Sequence, residues 1–161
     1  MDDVRRRYRY GGPPELLATV DARHRGQPLD SAAAVDAWAA YAGADPFTYV
    51  VDADGLLLAA DRRSEHVACA GGGDVLSAGE MSLRRADAGW AVAEVSNQST
   101  GYAPEPASWP AVAAALDRAG IAHRGGFTAA FEFRRCPGCA ELNLVKDGDY
   151  TCCLCEAPPP A

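Results

Sequence analysis

A chain of 161 residues is long enough for one ordinary globular domain, or one domain with a small appendage, and too short for two equal domains. Apolar residues make up 48 % and charged residues 23 %, with no dominant low-complexity block, which argues for a folded chain rather than a disordered one. A formal charge of −7 opposes a polyanionic partner over most of the surface, so a protein partner or a small ligand is expected ahead of nucleic acid.

The chain opens on a basic, aromatic stretch, Arg5-Arg6-Arg7-Tyr8-Arg9-Tyr10, whose composition can grip phosphates and stack on bases. In so acidic a chain, a solvated arm or a cap over an acidic face is the better reading. Helical spacing of Leu16, Leu17 and Val20 behind a proline predicts a helix over 14–23. A second is predicted over 31–42, with Asp30 or Ser31 as N-cap, Gly43 as the stop, and Val35, Trp38 and Ala42 on one face. From Phe47 the period changes. "FTYVV", "DADG" and "LLLAA" read as strand, tight turn, strand, with Asp54-Gly55 as the hairpin signal. "HVACA", "DVLSA", "EMSLRR" and "WAVAEVS" continue an antiparallel meander. A helix follows over "PASWPAVAAALDRAG", with Ser108 as cap, Gly120 as stop, and Val112, Ala115, Leu116 and Ala119 on one stripe. "GGFTAAFEFRR" then alternates as a half-buried strand running into the cysteines.

Cys136-x-x-Cys139 and Cys152-x-x-Cys155, twelve residues apart, form two knuckles that can turn four sulfurs onto one point, the ligand set of a tetrahedral zinc. "LNLV", "KDGD" and "YT" between them predict a hairpin. Four thiolates leave no position open for water, so the expected Zn2+ is structural. Alanine and glutamate stand at 140 and 156, where glycine commonly follows each knuckle. Cys69 and Cys153 are expected to be inert thiols, Cys69 within a strand. No run approaches the ~20 apolar residues of a membrane span, and the N-terminus lacks an export pattern, so the expected location is cytoplasmic.

Three polar groups fall at predicted strand ends, where rigid scaffolds present loops: Glu65-His66, Glu80, and the run Asn97-Gln98-Ser99-Thr100-Gly101-Tyr102. A ligand or partner site at His66, Glu80, Asn97, Ser99 and Tyr102 is one reading. A purely structural cluster is the other, since these residue types also build tight connections. The ordered set His66, Gly72-Gly73, Val75, Ala78-Gly79-Glu80, Asn97-Gln98-Ser99-Thr100-Gly101-Tyr102 and Pro104 resembles a block of uncharacterised bacterial proteins, toxin-associated domains and plant IQ-motif calmodulin-binding proteins. Thr100-Gly101 replaces that block's Gly-His, so no role of its histidine carries over. The zinc ribbon resembles those of small bacterial proteins. The order His66, Tyr102, Glu132 is similar to that of diphtheria-toxin-like ADP-ribosyltransferases. That resemblance implies a histidine holding the ribose, a tyrosine stacking on nicotinamide, and a glutamate stabilising an oxocarbenium-like state.

The sequence therefore predicts an α+β protein, an antiparallel sheet with flanking helices and a C-terminal zinc ribbon. Its expected parts are an arm and helices over 1–46, a core over 47–134, the ribbon over 135–157 and a proline-rich tail over 158–161. The functional expectation is a small intracellular zinc-binding accessory or interaction protein. Its alternative is a nucleotide-handling enzyme using His66, Tyr102 and Glu132.

Overall fold

The computed structural model describes residues 6–135, 139 and 142–145. An antiparallel five-stranded sheet lies at its centre, in the order β1 (Gln27–Pro28), β3 (Leu57–Ala60), β2 (Phe47–Asp52), β4 (Val75–Ala86), β5 (Gly89–Val95). All six residues of β2 are buried, because the sheet is covered on both faces there. Phe47, Tyr49 and Val51 point to one face with helices α2 (Ala32–Ala42) and α4 (Trp109–Ala119), while Val50 points to the other with α1 (Pro14–Ala18) and α3 (His66–Cys69).

The helices with clear end signals form as expected. Ser31 Oγ accepts the Ala34 amide at 3.1 Å and caps α2, and Gly43 ends it. Trp90 ties that helix to β5 by donating from its indole N–H to Asp36 at 2.8 Å. The stripe of α4 buries Val112, Ala115, Leu116 and Ala119, and Gly120 closes it with φ +77°. Ser108 precedes α4 without capping it by its side chain: its hydroxyl meets that of Ser77 at 2.8 Å instead. The β2–β3 hairpin turns at Asp52–Leu56, where Asp52 Oδ1 accepts the amides of Asp54 and Leu56.

Four local expectations are corrected. The helix expected over 14–23 stops at Ala18, and Asp21 then starts a separate 3-10 turn over Ala22–His24 by accepting the Arg23 amide. Gln27–Pro28, given no strand in the sequence reading, pairs with β3. "HVAC" is a helical turn, not a strand; so short an apolar run carries no usable period, and Val67 and Cys69 are both buried beneath it. The strand expected from Gly125 begins only at Glu132. Before it, Thr128 clamps the Val95 backbone by its side chain and Phe127 packs edge-on against Trp109.

Strand β6 (Glu132–Arg135) pairs antiparallel with β7 (Leu142–Val145) in a second, two-stranded sheet. "LNLV" thus pairs back onto "EFRR". The pairing expected with "YT" lies outside the described residues, as do Cys136, Cys152, Cys153 and Cys155. No helix among the described residues is long and apolar enough to cross a membrane.

Candidate functional site

The basic N-terminal stretch is docked, with its two residue types on opposite sides. Tyr8 is buried and exchanges backbone hydrogen bonds with Val75 at 2.7 and 3.0 Å, while Arg6, Arg7 and Arg9 stay exposed. Tyr10 packs edge-on against Tyr102, and Arg6 pairs with Glu105 at 3.0 Å. The arm caps the sheet end, with Tyr8 buried and Tyr10 partly buried against Tyr102.

Beneath the arm lies the polar block singled out in the sequence. His66 opens α3 and directs Nε2 to the Gly79 carbonyl at 2.8 Å. A carbonyl only accepts, so the proton sits on Nε2. Burial holds the ring below the ordinary histidine pKa, outweighing the opposite pull of the Gly79 carbonyl, Glu80 and Glu65. Gly79 itself has no room for a side chain, since a Cβ there would collide with the Ser96 carbonyl. That same carbonyl accepts the Tyr49 hydroxyl at 2.7 Å.

The run from Asn97 to Tyr102 is bound inward. Asn97 is fully buried and makes three hydrogen bonds: Nδ2 donates to Pro104 and Phe131 carbonyls at 2.8 Å each, and Oδ1 accepts the Phe131 amide at 2.7 Å. Ser99 is buried, with Oγ accepting the Tyr102 amide and its carbonyl accepting that of Ala103. This tight turn holds Ala103 at φ +48°, a left-handed conformation that a non-glycine residue adopts at a cost. Tyr102 is 3 % exposed and donates its hydroxyl to the Gly73 carbonyl at 2.6 Å. Burial raises its pKa far above the ordinary tyrosine value, so the phenol stays protonated as a donor.

The structure therefore brings His66, Asn97, Ser99 and Tyr102 into one neighbourhood and spends their polar atoms on backbone. The cavity at His66, with Tyr10, Glu65, Thr100 and Gly101, is only about 70 Å³, room for a water or two. Neither Tyr102 nor Glu132 lines it. Glu132 starts β6, exposed, opposite Val145. With its ring packed and its hydroxyl committed, Tyr102 offers nicotinamide no face, so the stacking role implied for an ADP-ribosyltransferase has no place in this geometry. Cys69 is likewise withdrawn: its thiol is buried, directed at the Leu58 carbonyl, and desolvation pushes its pKa up to about 12.

Glu80 belongs elsewhere. It is exposed on β4 and lines a different hollow, about 160 Å³, with Ser82, Glu94 and Gln98 and a wall formed by Pro46 and Phe131. Ser82 lies directly opposite Glu94 in the β4–β5 register. Sequence reasoning passed over Ser82 and Glu94, although the alternation Glu80-x-Ser82 and Glu94-x-Ser96 already marks a polar sheet face.

Among the described residues no group of three or more His, Cys, Asp and Glu is arranged to hold a metal ion. Of the four expected zinc ligands only Cys139 is described, exposed in a turn. Comparison with protein-family models, curated proteins and solved structures finds no match.

Proposed function

We propose that the protein is a zinc-stapled accessory module that works through protein contacts rather than catalysis. The spacing Cys136-x2-Cys139-x12-Cys152-x2-Cys155 carries the metal part of this reading. The antiparallel pairing of β6 with β7 supports it, because Arg135 opposite Leu142 closes a strand pair around the segment that contains the first two cysteines. Two thiols at the tip of a strand pair can turn toward one ion, and a second pair completes a tetrahedral set. Four sulfurs fill the coordination sphere, so the ion would fold the segment and activate no water. Thiolates remain available to zinc where they are kept reduced, which points to a reducing compartment.

The interaction part rests on where the polar residues go. The block around His66 and Tyr102 is consumed internally, which removes the residues that would have done chemistry. The chain's net charge of −7 suits contact with a basic surface of another protein.

Metal analysis of protein purified under reducing conditions tests the staple. One zinc per chain is expected, falling sharply in Cys152→Ser while the main thermal transition persists. Less than about half a zinc per chain in the unaltered protein would sink the reading.

A further inference from the structure

We propose that the hollow between Glu80 and Glu94 receives a single basic side chain, an arginine above all, from a partner protein. This deepens the interaction reading above and rests on it. Residues 80 and 82 face the same side of β4, and Glu94 stands opposite Ser82, so two carboxylates flank one hydroxyl on one face of the sheet. Neither carboxylate has an ion-pair partner among the described residues. Arg85, a conceivable neutraliser on the same strand, is held over the Trp90 ring, its guanidinium carbon 4.8 Å from the centroid. Like charges close together on a sheet face repel, and a cation placed between them converts that repulsion into attraction.

A second observation points into the same hollow. Ser82 is only 6 % exposed, lines the cavity, and has no hydrogen-bond partner for its hydroxyl among the described residues. That oxygen is left for whatever occupies the hollow, and a guanidinium N–H could donate to it. Gln98, exposed at the rim, adds an amide oxygen as a further acceptor.

Size and lining then select the occupant. About 160 Å³ falls below the roughly 300–1,000 Å³ of ordinary small-molecule sites, so a nucleotide does not fit, whereas one long side chain does. A bare divalent ion would find two carboxylates, too few for the oxygen shell that calcium or magnesium demands. Pro46 and Phe131 give an apolar wall for methylenes, the arrangement in which an arginine lays its stem on apolar surface and keeps its head on charge. The chain's charge of −7 favours approach of a basic partner.

The test is amide chemical-shift mapping on the full, zinc-loaded chain, titrated with acetyl-Gly-Arg-Gly-amide and with its citrulline counterpart, which keeps the shape and lacks the charge. With the arginine peptide, saturable shifts of millimolar affinity are expected at Ser82, Glu94 and Gln98. They should be at least tenfold weaker with citrulline and in the double variant Glu80→Gln, Glu94→Gln. Both glutamates are exposed, so that variant should keep the parent melting temperature. Equal responses to the two peptides, equal responses of parent and variant, or no saturable shift at those amides would overturn the proposal. The zinc content of the same samples reports separately on the staple, so the failure of one is not read as failure of the other.

Discussion

Tyr102 shows how a residue that reads as a ligand contact becomes a structural tie. Its hydroxyl reaches 29 residues back in sequence to the Gly73 carbonyl and so pins the glycine break to the turn before α4. Removing that hydroxyl leaves the carbonyl without this donor at a part-buried position. Tyr102→Phe should therefore lower stability by about 1–3 kcal/mol, read from urea denaturation, with no change in the native spectrum. His66 makes the companion tie to Gly79, and its depressed pKa fixes a sign. The unfolded ring titrates near 6.5, the folded ring below it, so the unfolded chain binds more protons as pH falls through that window. The contribution of His66 is thus fully present above about pH 6.5 and is lost progressively as pH drops toward the folded value. His66→Gln, which keeps a donor for Gly79, should flatten the acid limb of a stability–pH profile; an unchanged limb would assign the effect to other groups.

At the scale of elements, explicit end signals and clean periods were legible, and short apolar runs were not. Ser31 and Gly43 bracket α2 where the sequence places them, and Ser31→Ala should cost roughly 1 kcal/mol in a thermal or denaturant melt through the lost N-cap. Ser108 looks the same in sequence but its hydroxyl meets that of Ser77 on β4, a partner 31 residues away that no local pattern reveals. The hairpin over β2 and β3 follows from Asp54-Gly55, with Gly55 at φ +85°. By contrast "HVAC" has too few residues to distinguish a period of 2 from one of 3.6, and packing under α1 decides for the helical turn. The alternation of "GGFTAAFEFRR" is real, but its first half is held by side chains rather than by a strand ladder: Thr128 bonds to Val95, and Phe127 packs edge-on against Trp109.

For the whole molecule, two apolar cores lie on the two faces of one sheet, and among the described residues their buried members run no further than Ile121. The described core of the five-stranded body is thus assembled from residues that precede the cysteine segment, which is why loss of zinc is expected to spare the main transition. The same division separates the roles of the polar residues. His66, Asn97, Ser99 and Tyr102 spend their polar atoms on backbone and hold loops in place, while Glu80, Ser82 and Glu94 line a hollow at the surface of the sheet.

By itself the sequence determined the α+β class, the antiparallel hairpins, the ends of the two long helices and the paired-cysteine spacing, because each depends on nearest neighbours or on a short period. Only the tertiary structure decided that the cavity at His66 is lined by neither Tyr102 nor Glu132, that Asn97 serves Pro104 and Phe131, and that Glu80 shares its hollow with Glu94 rather than with His66. Those outcomes depend on which strands lie side by side and which face each residue takes. A linear pattern can mark a residue as polar and placed at a turn, but whether its hydrogen bonds end on the chain's own backbone or remain open to a partner is fixed by neighbours distant in sequence.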